Sequence, residues 1–331
     1  MSRIGVAFAN GLNASEIVDC AQLAESLGYD SVWMTEGHGG DHFAVLSAVA
    51  AQTSRVKLGT CISSVFVRSA PTIAMAAAVV DQLSEGRFIL GLGSSHKVQV
   101  EPEHGLTYSK PVTRVRETAE VVRQLLRDGQ VSYSGETVNI EKYELWFKPF
   151  RPRLSIYYAA VFPKMIGICG EEADGLILTR TTLDVGAEAR TYIAAGAEAK
   201  GRDPGEVEVT TLIPTAATDN PNDAFDALRP GVAMYTGFFP RYNRMAQEQG
   251  FGEEAAAIAD LWGRGERAAA TRTVSDAHID AVCIAGTPER CRERIEAYRE
   301  SGIDLPVITP AAEGPDAKAM VQATLRACAP R

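Results

Sequence analysis

The sequence predicts a (β/α)8 barrel, and three observations predict it. Eight apolar segments of strand length alternate with segments of helical spacing along 331 residues, the pattern of a parallel sheet wrapped by helices. Several of these strands end in glycines or small polar residues, at the carboxyl ends where α/β proteins keep their chemistry. No complete G-x-G-x-x-G follows the first strand, as an open doubly wound sheet would normally carry.

The elements follow in order. The first strand spans 4–9, and the helix after it builds its face from Ile17, Cys20, Ala21, Ala24 and Leu27 before Gly28 stops it. A strand at 31–34 leads to a helix after Asp41, and a strand at 56–62 leads to an alanine-rich helix at 70–83. The fourth strand, 88–93, precedes an amphipathic helix near 111–127. Residues 131–140 alternate like a hairpin turning at Tyr133-Ser134-Gly135-Glu136, inside an insertion at about 129–153. Strands at 155–159, 175–179 and 207–214 alternate with helices at 164–170 and 184–200. A helix-rich stretch at about 220–272 reads as a second insertion. Helices at 275–285 and 288–301 follow, the latter opened by the cap and first-turn proline of Thr287-Pro288. A strand at 304–309 and a helix at 316–328 close one domain over 1–331.

Composition bounds the function. Hydrophobic residues make up 46% and charged residues 23%, as in ordinary globular proteins. A net charge of −9 without a basic block argues against a nucleic-acid partner, and no apolar run reaches the length of a membrane span. The six cysteines show no C-x-x-C pair or metal spacing, and no signal peptide is evident, so a cytoplasmic protein with reduced thiols is expected.

The most informative stretch is Phe88-Ile89-Leu90-Gly91-Leu92-Gly93-Ser94-Ser95-His96. Its apolar run suits a strand buried on both faces. Its glycines would let a ligand approach the backbone, and His96 offers a group able to titrate near neutral pH. After the second strand come Glu36, His38 and His42 among glycines, where Glu36 suits general acid work. A zinc site from His38 and His42 lacks a clear third ligand. After the third strand, Thr60, Cys61, Ile62 and Ser63 precede Arg68 and suit a cofactor face with an anion holder. Ala160-Val161-Phe162-Pro163-Lys164-Met165 leads from the fifth strand into a helix whose N-terminus and lysine suit an anion. Thr179 ends the sixth strand beside them. Tyr133, Trp146, Phe238, Phe239 and Trp262 either line a substrate pocket or pack the insertions. The missing Ser-His-Asp elbow and Walker loop make hydrolase and P-loop readings poor.

Together these segments resemble the luciferase-like flavin and deazaflavin oxidoreductases over nearly the whole chain. The matching motifs include Gly28-Tyr29-Asp30-Ser31-Val32-Trp33, Asp81-Gln82-Leu83-Ser84-Glu85-Gly86-Arg87-Phe88, Leu90-Gly91-Leu92-Gly93 and Ala285-Gly286-Thr287-Pro288-Glu289. Pro163-Lys164-Met165 followed by Ala173-Asp174-Gly175 is similar to the branch typified by methylenetetrahydromethanopterin reductase. The resemblance implies a usually dimeric barrel with coenzyme F-420, an 8-hydroxy-5-deazaflavin, across its mouth; flavin mononucleotide (FMN) is the alternative. It also implies a non-prolyl cis peptide at Cys61-Ile62, with Ile62 backing the ring. The expected cofactor contacts are Thr60 to Ser63, Gly93, Ser94, Ala160 to Met165 and Thr179. Members often carry Asp-His after strand two, but this chain reads Glu36-Gly37. Glu36 is therefore the first candidate proton donor, His96 the second and His38 the third. The expected activity is hydride transfer from reduced deazaflavin to a C=N, C=C or C=O carbon of a small molecule. An FMN-dependent monooxygenase and a non-catalytic cofactor-binding barrel are the alternatives.

Overall fold

The computed structural model describes residues 3–330. Strand β1 (Gly5–Phe8) is followed by α1 (Ala14–Ser26), β2 (Ser31–Met34), α2 (His42–Gln52), β3 (Lys57–Thr60) and a two-residue β4 (Ser63–Ser64). Next come α3 (Ala70–Leu83), β5 (Phe88–Gly93), α4 (Lys97–His104) and α5 (Pro111–Asp128). A hairpin, β6 (Gln130–Ser134) and β7 (Asn139–Glu144), precedes β8 (Ser155–Ala159), α6 (Pro163–Glu172), β9 (Gly175–Thr179), α7 (Val185–Ala199) and β10 (Glu208–Ala217). Then follow α8 (Pro221–Phe238), α9 (Pro240–Ala246), a π-turn, α10 (Gly252–Gly263), α11 (Arg267–Thr273) and α12 (Asp276–Val282). The chain ends with β11 (Ile284–Gly286), α13 (Pro288–Glu300), β12 (Leu305–Pro310) and α14 (Ala317–Ala327).

Strands β1, β2, β3, β5, β8, β9, β10 and β12 pair in parallel and close when β12 returns to β1, with Val307 opposite Gly5. These are the eight strands expected, and the fold is a (β/α)8 barrel. One apolar layer lies between barrel and helices. A smaller one fills the barrel, built on Trp33, Ile89, Tyr157, Ile177, Leu305 and Val307. Trp33 is fully buried there and donates from Nε1 to Ser31 Oγ at 2.9 Å. Gly59 makes room for its ring, since a Cβ at that position would stand 2.2 Å from it.

Some local expectations change. The hairpin turns at Gly135–Val138, later than expected, because Glu117 on α5 gathers the amides of Glu136, Thr137 and Val138 at 2.6, 2.8 and 2.8 Å. Residues 284–286 form β11 on the tip of β10 instead of ending a helix. Residues 97–104 form the unforeseen α4. The stretch at 220–272 folds as α8 to α11 with their own small core, and α9 sits over the carboxyl ends of the barrel strands.

The glycines of β5 also make room for neighbouring protein. A Cβ on Gly91 would lie 1.9 Å from the Thr60 carbonyl oxygen, and one on Gly93 would lie 2.7 Å from Ile62 Cγ1. Both glycines make room for the chain at and just after the end of β3, and Gly93 also borders the space at the carboxyl ends of the strands.

Candidate active site

At the carboxyl ends of the strands lies a cavity of about 500 Å³. Cys61, Ile62, Gly93, Ala159, Ile177 and Leu212 line its barrel side. Tyr235, Phe238, Phe239, Tyr242 and Trp262 line it from the second insertion. A side lobe of about 180 Å³ adjoins it, bounded by Phe162, Lys164 and Met165, and shares Ser94, Ala160, Val161 and Arg241 with the main cavity. A larger groove of about 680 Å³ runs between α8, α13 and α14. Alanines dominate its walls and none of the expected site residues faces it, so size alone is a poor guide here.

Glu36 lines the main cavity, but its oxygens are engaged. Oε2 accepts the Ser64 N–H at 2.6 Å, and Oε1 accepts from Arg68 Nε. Arg68 also donates to Asp41 Oδ2 at 2.7 Å, so one guanidinium ties two loops together. Behind this cluster His42 is fully buried, with Nδ1 at 3.4 Å from Glu36 Oε1 and no hydrogen-bond partner on either ring nitrogen. Burial lowers its pKa to about 4, against the opposing pull of Glu36.

His96 also lines the cavity, packed against Phe239 with ring centroids 4.4 Å apart and Tyr242 at 5.3 Å. Burial and then the nearby Arg241 charge lower its pKa to about 4. Titration near neutral pH, expected from the sequence, is therefore corrected: this imidazole is neutral at pH 7. His38 stands on the rim, exposed, with Nε2 at 3.0 Å from Glu103 Oε2. Tyr108 organises the junction of the two lobes. Its hydroxyl donates to Ser94 Oγ at 3.1 Å and accepts from Arg241 Nη2 at 3.1 Å, while its ring stacks on Phe66.

The luciferase-like monooxygenase family matches residues 2–305. The chain belongs to that family. It is 28% identical over 326 residues to a 5,10-methylenetetrahydromethanopterin reductase of Archaeoglobus fulgidus, covering 97% of this chain and 96% of the relative. It is 30% identical over 304 residues to the enzyme of the same name from Methanolobus tindarius, covering 90% and 91%. The solved structure of the coenzyme F-420-dependent tetrahydromethanopterin reductase of Methanopyrus kandleri superimposes with a TM-score of 0.87 at 25% identity, over 98% of this chain and 97% of that one.

Within this luciferase-like barrel, the expected cofactor residues divide into two groups. Cys61, Ile62, Gly93, Ser94, Ala160, Val161 and Thr179 line the main cavity, and Phe162, Lys164 and Met165 line the side lobe. Pro163 opens α6 at the edge of that lobe. Thr60 and Ser63 are fully buried behind the others and line neither space. Thr60 Oγ1 is used within the barrel, accepting from Gly91 N–H at 2.9 Å and donating to Gly91 O at 2.8 Å. The peptide between Cys61 and Ile62 is cis, as the resemblance implied. Phe238, Phe239 and Trp262 line the cavity, whereas the Tyr133 hydroxyl donates to Glu120 and Trp146 is 96% exposed. The sequence reading passed over Arg241, Tyr242 and Arg267. Among the described residues no cluster of three or more His, Cys, Asp or Glu side chains suits a metal ion.

Proposed function

We propose that this protein passes a hydride from reduced coenzyme F-420 to an electrophilic C=N, C=C or C=O carbon of a small molecule. The chain is an F-420-dependent oxidoreductase of the luciferase-like family. The observation that carries the reading is the two-lobed cavity. Its main lobe, within the usual 300–1,000 Å³ range of ligand sites, has an apolar barrel side built on Ile62, Ala159 and Ile177, against which a tricyclic ring could pack. Its side lobe joins Lys164, Arg241 and the start of α6, a setting for phosphate.

When bound, the reduced deazaflavin supplies the hydride from its C5, and the protein supplies orientation and electrostatics. Ile62 backs the ring from the barrel side. Arg241, fixed by Tyr108, and Lys164 hold the phosphate. The neutral His96 donates a hydrogen bond from its ring N–H to the substrate atom that becomes basic as the hydride arrives, and that atom takes its proton from water, so hydride and proton together reduce one double bond. Glu36 is ranked below His96, because both of its oxygens already accept hydrogen bonds. It serves as a fixed anion that holds the loop bearing Ser64 and Arg68.

Parallel fluorescence titrations with F-420 and FMN test the reading. F-420 is expected to bind at least tenfold tighter, and reduced F-420 is expected to lose its hydride to an electrophilic substrate. Equal or reversed affinities would move the chain to the FMN-dependent monooxygenase reading. Tight F-420 binding without turnover on any C=N, C=C or C=O panel would favour a binding protein.

A further inference from the structure

Every acidic side chain facing the main cavity has a cationic or imidazole neighbour: Glu36 with Arg68, and Glu103 with His38. Two guanidiniums on the same cavity lack a counterpart. Among the described residues, no carboxylate oxygen lies within 4.0 Å of Arg241 or Arg267. Among the described residues some arginines of the later helices, such as Arg229, Arg264, Arg292 and Arg299, pair with carboxylates, and others, such as Arg272 and Arg294, do not; Arg241 and Arg267 are the arginines that line this cavity. Arg241 also faces the side lobe with Lys164, where the proposed function assigns it to the cofactor phosphate. Arg267 is left over.

Arg267 is exposed, and most exposed arginines are merely solvated. This one is held in place. Its guanidinium lies over the Trp262 ring, 3.9 Å from the centroid, and Nη1 donates to the Trp262 carbonyl. Trp262 is in turn seated by Gly237, where a Cβ would stand 2.7 Å from Trp262 Cγ. Below it the rings of Phe238, Phe239, Tyr235 and Tyr242 form a continuous wall, with Phe238–Phe239 centroids 4.8 Å apart and Tyr235–Tyr242 at 5.1 Å. These rings meet one another tilted or edge-on, so they offer a planar ligand aromatic faces and edges across from the apolar barrel side.

We propose that the substrate is a planar molecule bearing one anionic group, with Arg267 reading the anion and the aromatic wall covering the ring. This rests on the F-420 site proposed above. A guanidinium recognises carboxylate and phosphate by the same forked donors, so both sources are tested.

The test is calorimetry on protein saturated with oxidised F-420, using 2-naphthoate, 2-naphthyl phosphate and 2-naphthamide as probes. At least one charged probe is expected to bind tenfold or more tighter than the amide, and the tighter of the two names the source of charge. In Arg267→Gln the preference is expected to fall within twofold, with F-420 affinity unchanged. Gly237→Ala, which displaces Trp262, is expected to weaken all three probes. Wild-type protein that binds F-420 but treats the amide and both anions alike, or binds none, would overturn the proposal. So would a preference that survives Arg267→Gln, or wild-type probe binding by a folded Gly237→Ala. Failure to bind F-420 itself would sink the cofactor site instead, so the two failures are told apart.

Discussion

Ile62 occupies the space that a side chain at Gly93 would need. A Cβ on Gly93 would stand 2.7 Å from Ile62 Cγ1 and 3.0 Å from its Cδ1, so this glycine sets how far Ile62 projects toward the cavity. Gly93→Ala is expected to push Ile62 toward the ring site and raise the F-420 dissociation constant about tenfold. The overpacking should cost about 1–3 kcal/mol of stability. Gly91→Ala is expected to be far worse, because its Cβ would sit 1.9 Å from the Thr60 carbonyl oxygen, a backbone atom with nowhere to go. Urea unfolding and F-420 titration of both variants check this. A stable Gly93→Ala protein with wild-type affinity would detach Ile62 from the cofactor.

Two cations flank the side lobe, and they are not equivalent. Arg241 is half-buried and oriented by the Tyr108 hydroxyl, whereas Lys164 is exposed on the first turn of α6. An exposed charge is screened, and a fixed guanidinium is not to the same degree. Arg241→Gln should weaken F-420 binding by about 1.5–3 kcal/mol, the scale of a hydrogen bond to a charged group. Lys164→Ala should weaken it by about 1 kcal/mol or less. Titration at two ionic strengths checks the order: salt should erode the Lys164 contribution first.

The barrel was legible because each of its strands is a short apolar run followed by a helical period, a pattern local in sequence. What escaped was short or non-local. Strand β11 is three residues long, too few to show alternation, and helix α4 carries Pro102 inside and buries only Val100. The need for glycine at 91 and 93 could be read, but not what fills the space, because Thr60 and Ile62 arrive from another strand. His96 looked titratable because an isolated imidazole is; its burial comes from Phe239, Tyr242 and Arg241, far along the chain. Arg241 and Arg267 gave no signal at all, since nothing in their neighbourhood marks a side chain that turns toward a distant cavity.

Acid should destabilise the fold through His42. Its pKa is lowered from 6.5 to about 4 in the folded protein. Between those values the unfolded chain binds the proton and the folded one does not, so stability present above pH 6.5 is lost progressively as pH falls toward 4. At pH 5 the loss from this one buried group should be on the order of 2 kcal/mol. His42→Leu removes a ring with no hydrogen-bond partner and should leave stability at pH 7 within about 1 kcal/mol, while flattening the acid limb. Urea midpoints at pH 7 and pH 5 decide it; an unchanged pH dependence in the variant would place the acid sensitivity elsewhere.

Glu36 and His96 face the same cavity and differ in what they have to give. Glu36 accepts from the Ser64 amide and from Arg68, so replacing it by Gln turns one acceptor into a donor that faces another donor. The cost should appear first as stability, about 1–3 kcal/mol for the group left unmatched, and next as looser cofactor binding when the loop shifts. His96→Asn instead removes a ring that makes no hydrogen bond to Glu36 and meets its aromatic neighbours only by packing. Its turnover should fall by about 10–10²-fold, on the scale of a hydrogen bond to a group that becomes charged, with F-420 affinity near that of wild type. A Glu36→Gln enzyme of normal stability and cofactor affinity that loses 10²-fold or more in turnover would reverse the assignment and make the carboxylate the donor. If both variants turn over normally, the proton comes from another group at the mouth, and His38→Gln becomes the deciding variant.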